Sequence, residues 1–436
     1  MTIYDTPADR SAGPIPQYYD ESGNLLNAQR NAPFPVTDYG LPKDSFNRVQ
    51  VADPVSLFDS QSQYDAVPLL WETTLAGGAT ETHNANESTV DLNVTTANGD
   101  KATRQTRQYF RYQPGKSQLV IITVNFGAGQ ANTVKRVGYF DDDNGFYIKE
   151  EAGAVSIVKR SKVTGTVVET EVAQSAWNQD PADGTGDSGV TLNPALSQIW
   201  FITAEWLGVG SVTVGMFYDK QPIALQTFHH ANRAGTTATY TTTHNLPVRY
   251  EIENEALAAS TSELKTICCS VISEGGLEDD RGYPFSASNG TTTVNVTTRR
   301  PILSIRPKTS FNSVVNRSQI ITNTVNTIAF GNGAFIEIVY NGALTGASFA
   351  SVNASSTCER DVDATGITGG IVIDSFFVGG NAAARGGPGT TGNGLQSKLP
   401  LTLDKAGANP INLSVVATGY SATASCAASL FWTEFR

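Results

Sequence analysis

Residues 134–151 read VKRVGYFDDDNGFYIKEE and set the interpretation of the whole chain. Asn144 and Gly145 stand between two flanks in which apolar residues recur, and Asn-Gly between such flanks is the strongest short signal for a β-hairpin. Residues 154–173 (AVSIVKRSKVTGTVVETEVA) repeat this form, with Thr164 and Gly165 near the bend. The stretch therefore predicts consecutive antiparallel hairpins.

The same pattern continues on both sides of these hairpins. STVDLNVTT (residues 88–96) alternates apolar and polar residues, and apolar segments such as QIWFITAEW and GGIVIDSFFVGG recur to the end of the chain. Helical periodicity is sparse. Many short strands with turns about every 8 to 12 residues are typical of antiparallel sandwiches or barrels. We therefore predict an all-β protein with two antiparallel β-sandwich domains of jelly-roll or immunoglobulin-like type.

Changes in composition suggest three parts. Residues 1–65 are rich in Pro, which favours extended structure, so they predict an extended N-terminal arm that anchors the protein to a partner. Residues 66–233 and 234–436 are expected to form the two sandwiches. Within the second, residues 379–398 (GGNAAARGGPGTTGNGLQSK) lack side chains to bury and predict an exposed loop.

The arm and one later segment supply the residues expected at protein interfaces. FNRVQVADPVSLFDS (residues 46–60) is the most apolar part of the arm and its expected anchor. In residues 103–118 (TRQTRQYFRYQPGKSQ), two strands around a Pro-Gly turn are a better interpretation than a nucleic-acid patch, because a chain of net charge −11 lacks the positive charge that phosphate binding needs. The predicted interface residues are Phe46, Val49, Val51, Leu57, Phe58, Arg107, Tyr109 and Arg111.

Composition narrows the partners further. No run of about 18 apolar residues exists, so no membrane partner is expected. The first residues lack the basic and apolar regions of a signal peptide, so export by that route is not expected. Neither nucleic acid nor a membrane is therefore predicted as a partner.

Known catalytic and cofactor motifs are missing from the chain. It contains no GxSxG, HExxH, GxxxxGK[ST] or CxxC, and we predict no catalytic residues and no cofactor. The acidic loop at residues 179–189 offers Asp180, Asp183 and Asp187 as candidates for a cation, although loops of this composition are common without metal.

The four cysteines are too few for a disulfide framework. Cys268 and Cys269 are adjacent in ICCSV, so on a strand one faces the core and the other faces away. Buried free thiols are the simpler interpretation, and a disulfide between subunits through the outward cysteine is the alternative.

Five motifs resemble, in order, a domain family of tailed bacteriophages and large DNA viruses. They are RQYFRYQPGKSQLVIITVNF, KRVGYFDDDNGFYIKEE, QSAWNQDPADGTGDSG, QIWFITAEWLGVGSVTVGMFYDKQPIALQTFHHANR and HNLPVRYEIEN…ICCSVISEGG, within residues 66–276. The resemblance implies a non-enzymatic structural component of the virion: a capsid decoration, a collar or neck fibre, or a tail-associated protein. It also implies a homotrimer that docks on other virion proteins and assembles in the host cytoplasm.

Two other functions compete with this one. A fibre module for host adhesion would bind surface glycans, with Trp177, Trp200, Trp206 and Trp432 stacking on sugars if they are exposed. A polysaccharide depolymerase would need paired carboxylates about 5–10 Å apart, and the scattered acidic residues nominate no such pair.

Overall fold

The computed structural model describes residues 54–278, 281–380 and 399–436, with the backbone of three short strands outside them. The chain divides into two units, Met1–Val51 and Ala52–Arg436. In the first unit, β1 (Gln17–Tyr19) pairs with β2 (Leu25–Asn27) in antiparallel orientation. The predicted interface residues Phe46, Val49 and Val51 lie outside the described residues.

The first sandwich is formed by strands between Val55 and Ser273, with one 3₁₀ turn at Gln174–Ala176. In chain order its strands are β3 (Val55–Gln61), β4 (Trp71–Ala76), β5 (Thr80–Asn84), β6 (Thr89–Val94), β7 (Lys101–Thr106), β8 (Gln118–Asn125), β9 (Thr133–Phe140), β10 (Gly145–Glu151), β11 (Ala154–Ser161), β12 (Val168–Ala173), β13 (Ser197–Ala204), β14 (Val212–Tyr218), β15 (Gln221–Phe228), β16 (Val248–Asn254) and β17 (Ser262–Ser273).

Two antiparallel sheets enclose the first core. One has the order β12-β11-β10-β9-β16-β7-β4, and the other has the order β15-β14-β13-β8-β17-β6-β5, with β3 beside β17. Strand β8 shows the expected period of two: Val120, Ile122 and Val124 are buried, and the residues between them are half-buried. Branched side chains at every second position thus place one face of each sheet in the core.

The second sandwich follows from Tyr283 to Phe435. Its strands are β18 (Tyr283–Ser288), β19 (Val294–Val296), β20 (Arg300–Pro307), β21 (Ser310–Phe311), β22 (Val314–Val315), β23 (Gln319–Gly331), β24 (Ala334–Tyr340), β25 (Ala343–Thr345), β26 (Ala350–Ser351), β27 (Cys358–Asp361), β28 (Gly366–Thr368), β29 (Ile371–Val378), β30 (Gly389–Thr391), β31 (Leu413–Gly419) and β32 (Ala424–Phe435).

Its two main sheets run β18-β32-β23-β30, with β19 beside β32, and β26-β27-β20-β31-β24-β29. Trp432, Ile338 and Val415 are fully buried between them. The small β21–β22 hairpin and the two-stranded sheet β25-β28 lie outside this order. The prediction of an all-β protein with two antiparallel sandwiches is confirmed. Among the described residues, no helix has the length and apolar character needed to cross a membrane.

Both predicted domain boundaries differ from the structure. Strand β3 lies before residue 66 but pairs with β17, so it belongs to the first sandwich and not to the arm. Strands β16 and β17 lie after residue 233, yet β16 pairs with β9 and β7 in the middle of the first seven-stranded sheet. The first sandwich therefore continues to Ser273. A uniform series of strands carries no local signal for the sheet that each strand joins.

The Asn144–Gly145 hairpin is confirmed, as β9 paired with β10. Its loop is residues 141–144, closed by the Asp141 N–H donating to the Asn144 carbonyl at 2.8 Å. Gly145 has φ +132°, and a Cβ there would lie 2.4 Å from the Cα of Phe140. Glycine is required at this position for two reasons: residues with a side chain rarely adopt this φ angle, and there is no space for a Cβ.

The predicted hairpin at residues 103–118 is wrong, although its turn is right. The Lys116 N–H donates to the Gln113 carbonyl at 3.0 Å, and Gly115 has φ +89°, as a Pro-Gly turn requires. However, β7 and β8 belong to different sheets, so the segment between them crosses from one sheet to the other. The side chains of Tyr109, Phe110 and Tyr112 are all buried, because the crossing segment is covered on both sides.

Most of the predicted Gly-rich loop, residues 381–388 and 392–398, lies outside the described residues. Its central part, β30, pairs with β23. Part of the segment predicted as a loop therefore extends a sheet.

Candidate functional site at the junction of the two sandwiches

The predicted interface residues Tyr109 and Arg111 contact the second sandwich of the same chain. The guanidinium of Arg317 lies 4.3 Å from the ring centroid of Tyr109. The guanidinium of Arg111 lies 4.2 Å from the ring centroid of Phe435. Stacking of Arg on aromatic rings is worth about 0.5–2 kcal/mol, and more when the contact is dry. The predicted protein contacts of these two residues are thus met within one chain.

Arg107 lies at the edge of the same junction. Its Nε donates to the Pro68 carbonyl at 3.1 Å. Together with Tyr340 and Ile371 of the second sandwich, it borders a hollow of about 240 Å³. The junction of the two sandwiches therefore includes all three predicted interface residues of this segment: Arg107, Tyr109 and Arg111.

Arg317 is held in place by backbone carbonyls of the second sandwich. Its guanidinium donates to the carbonyls of Asp404 and Lys405, each at 2.8 Å. These two hydrogen bonds fix the orientation of the guanidinium plane that stacks on the Tyr109 ring. Burial raises the pKa of the Tyr109 phenol well above its ordinary value, so the ring remains neutral.

An ionic contact also crosses the junction. Asp142, at the tip of the β9–β10 hairpin, accepts from Arg249 at 2.5 Å and lies 3.3 Å from Lys405. Burial alone would raise the pKa of the Asp142 carboxyl, but Arg249 and Lys405 outweigh burial and hold its pKa at about 2. Arg249 is fully buried and also donates to the Gln105 Oε1 at 2.8 Å and 2.5 Å. The hairpin tip is therefore ionised and fixed at neutral pH.

Two clefts remain between the sandwiches. One, of about 540 Å³, is lined by Leu57 and Phe58 of β3 and by Ile320 and Leu401 of the second sandwich. Leu57 and Phe58 were predicted to anchor the arm to a partner, and the structure places them at this internal junction. The second cleft, of about 650 Å³, lies beside the hairpin tip.

The acidic loop uses its carboxylates to hold its own turns. The two carboxylate oxygens of Asp180 accept the N–H groups of Ala182 and Ser188, each at 2.8 Å. Asp183 accepts from Thr185, and these hydrogen bonds lower the pKa of the Asp183 carboxyl. Asp187 is exposed. Within the described residues, no three His, Cys, Asp or Glu side chains are grouped so that they could hold a metal, so the cation candidates are not brought together.

The adjacent cysteines face opposite ways, as predicted. Cys269 is buried in the first core and Cys268 is exposed. Burial raises the pKa of both thiols above the ordinary value, which lowers their thiolate fraction at neutral pH. The disulfide between subunits stays a prediction.

The tryptophans proposed to stack on sugars lie inside the protein. Trp177, Trp200 and Trp432 are buried. Trp206 is partly buried against the first core, and its Nε1 donates to the Thr241 hydroxyl at 2.9 Å. These four residues form no exposed platform.

The exposed aromatic surface lies elsewhere. Phe377 on the edge strand β29 is 70% exposed, and Tyr420 after β31 is 64% exposed. The Phe377 ring centroid lies 5.0 Å from that of Phe335 and 6.0 Å from that of Tyr420. We call these three residues the aromatic cluster. The adjacent pair Phe376 and Phe377 indicates such a surface in the sequence. Neighbouring residues on a strand face opposite sides of the sheet, so one of the two phenylalanines points away from the core.

Two histidines are buried among aromatic rings. The His244 ring centroid lies 5.3 Å from that of Tyr112 and 5.4 Å from that of Tyr139, and burial lowers the His244 pKa to about 3. His230 stacks on Tyr240 at 3.8 Å, and burial lowers its pKa to about 4. His229 is exposed, so the two adjacent histidines, which directly follow β15, lie in opposite environments.

Comparison with known proteins leaves the family open. No protein-family model matches the chain, and no curated protein matches it.

Among solved structures, a protein of unknown function from Shewanella oneidensis MR-1 is 7% identical, with 53% of this chain and 92% of that chain covered and a TM-score of 0.34. A glycoside hydrolase family protein from Mycobacterium thermorestibile is 12% identical, with 49% and 99% covered and a TM-score of 0.33. A legume lectin-like domain from Entamoeba histolytica is 8% identical, with 50% and 98% covered and a TM-score of 0.29. Likeness of this size carries no argument about function.

Proposed function

We propose that this chain is a non-enzymatic structural protein of a bacteriophage virion. It serves as a capsid decoration, a collar or neck fibre, or a tail-associated component, and it assembles with itself and with other virion proteins. The observation that carries the proposal is the aromatic cluster, whose most exposed member Phe377 lies on the edge strand β29, because it offers an assembly surface on a rigid β scaffold.

The strand itself supports a protein contact. Ile371 and Val372 at the start of β29 are 41% and 47% exposed, and Phe377 is exposed near the end of the same strand. Among the described strands, only β24 pairs with β29. The other edge of β29 therefore has no paired strand in the described part of the chain. Soluble proteins protect apolar edge strands, and exposed apolar patches commonly mark protein interfaces.

The junction supports the same role. Arg–aromatic stacking and an ion pair join the two sandwiches into one block. Interdomain motion is the default when an interface is small and polar, whereas this junction buries the side chain of Tyr109 and stacks two arginines on aromatic rings. A stiff block suits a protein that carries load in a particle. The ordered motifs within residues 66–276 add the resemblance to virion proteins.

The first experiment is the mass of the purified protein by light scattering, with negative-stain images of the same sample. The proposal expects a homo-oligomer, with three copies as the specific expectation. Phe377→Asp should reduce the mass to that of one chain without lowering the melting temperature. Leu257→Asp is the matched control, because Leu257 is 72% exposed on the first sandwich, outside the aromatic cluster.

A monomeric protein that also fails to bind purified phage particles would overturn the proposal. Oligomers of unchanged mass in the Phe377→Asp variant would show that the aromatic cluster is not the assembly surface.

A further inference from the structure

The cleft of about 650 Å³ has the properties of a ligand site. It lies where the hairpin tip at residues 141–144 of the first sandwich faces the β21–β22 hairpin of the second. We call it the junction cleft. Its volume falls within the range of about 300–1,000 Å³ that is usual for small-molecule sites, and such sites favour domain interfaces.

The charges in the junction cleft balance one another. Three carboxylate side chains line it, and so do three cationic side chains: Asp141, Asp142, Asp143, Arg317, Lys405 and Arg436.

Each of these six side chains already has a partner in the protein. Asp141 accepts the N–H groups of Asp143 and Asn144 at 2.9 Å and 2.7 Å. Asp142 lies 3.3 Å from Lys405, and Asp143 lies 2.9 Å from Lys162 outside the cleft. Arg317 is held by the carbonyls described above. The guanidinium of Arg436 lies 3.1 Å from Glu434. A charged ligand would have to be desolvated and would compete with these existing partners, while the three negative and three positive side chains of the lining offer it no net opposite charge, so the cleft favours a neutral ligand.

The remaining lining combines hydrogen-bonding groups with apolar faces. Thr242, Thr243, Asn245 and Asn312 contribute hydroxyl and amide groups that both donate and accept. Among the described contacts, the Asn245 Oδ1 accepts the Tyr112 N–H at 2.9 Å, and its NH₂ donates to no protein group.

Apolar surface stands directly beside these groups. Phe311 and Val314 also line the junction cleft, and Val314 is 68% exposed, whereas the buried ring of Tyr109 lies behind Arg317. A ligand that matches this lining carries many hydroxyls, which donate and accept, and also C–H faces that pack on apolar side chains such as Val314. Sugars combine these properties.

We propose that the junction cleft binds a neutral oligosaccharide. This goes beyond the structural role, since a protein can assemble into a particle without binding a sugar. It also moves glycan recognition away from the buried tryptophans, to residues that both sandwiches supply.

The test uses the full chain and an array of neutral and acidic oligosaccharides, followed by calorimetric titration with each oligosaccharide that binds. Val314→Arg should fill the mouth of the cleft, and Asn245→Asp should keep the acceptor for Tyr112 while losing the NH₂ donor. Each should weaken binding by about tenfold or more, as expected when one buried hydrogen bond or the access to a site is lost. Leu257→Arg is the control, with similar exposure at a site away from the cleft.

Binding of neutral oligosaccharides that both cleft variants weaken, and the control does not, would support the proposal. An array without a bound neutral oligosaccharide would overturn it, and so would equal affinities in all four proteins. Melting temperatures of the variants separate lost binding from lost folding. The Phe377→Asp variant separates this inference from the structural role, because it should change the mass and leave oligosaccharide binding unchanged.

Discussion

His244 should make this protein lose stability in mild acid. The imidazole is fully enclosed by the first sandwich, against the rings of Tyr112, Tyr139 and Trp206. Its Nδ1 is buried, with no hydrogen-bond partner among the described residues. A proton added to this ring would be buried without an acceptor, which is why burial lowers the His244 pKa from 6.5 to about 3.

The sign and size of the effect follow from linkage. The folded-state pKa lies below the unfolded one, so the unfolded chain takes up the proton first as the pH falls, and stability is lost below about pH 6.5. At about pH 5 the folded imidazole is still neutral, whereas the pH lies about 1.5 units below the unfolded pKa. At about 1.4 kcal/mol per unit, His244 then costs about 2 kcal/mol of the free energy of unfolding. The free energy of unfolding of a native protein is usually about 5–15 kcal/mol, so this loss is a large part of it.

The assay is urea unfolding at several pH values between about 7.5 and 5. His244→Phe removes the titrating group and keeps an aromatic ring, so its free energy of unfolding should fall by about 2 kcal/mol less than that of the wild type over this range. His244→Leu gives a second test if Phe is too large for the site. His229→Phe, which replaces an exposed imidazole, should follow the wild type. If the His244 variants lose stability with pH as steeply as the wild type, the reasoning from burial is wrong.

Three further predictions concern the hairpin, the junction and the tryptophans. Gly145→Ala should cost at least about 2 kcal/mol more than Gly165→Ala in urea unfolding, because both glycines have positive φ but a Cβ meets Phe140 only at the first; equal costs would contradict the steric argument. Arg317→Ala should lower the melting temperature and split the calorimetric transition as the sandwiches uncouple, whereas Arg281→Ala, at an exposed site, should leave one transition; a single, unshifted peak for the Arg317 variant would count against the junction. Acrylamide should quench tryptophan fluorescence weakly, and quenching as strong as that of free tryptophan would show that the cores are misassigned. The buried tryptophans are Trp71, Trp177, Trp200 and Trp432.

The candidate site was only partly predictable. Arg107, Tyr109 and Arg111 stand out in the sequence as contact residues because charge and aromatic character are local properties. Their partners, such as Arg317 and Phe435, lie more than 200 positions away in the chain. No local pattern pairs residues at that separation, so a contact within one chain could not be told from a contact between chains.

The acidic loop shows the same limit. The spacing of Asp180, Asp183 and Asp187 is compatible with a cation site, but it is equally compatible with carboxylates that accept nearby N–H groups. The choice depends on backbone angles, and in the folded loop Asp180 and Asp183 accept hydrogen bonds within their own turns. Sequence pattern alone could nominate these residues but could not assign their roles.

The sequence by itself determined the β-class, the Asn-Gly hairpin, the Pro-Gly turn and the opposite orientations of Cys268 and Cys269. Each depends on residues within a few positions of one another, through the period of a strand or the φ angles of a turn. The tertiary structure alone decided which sheet β3, β16 and β17 join, that the two sandwiches meet through Tyr109 and Arg111, and that an aromatic cluster remains outside. These features depend on pairing and burial between distant segments, and the same local alternation permits many such arrangements.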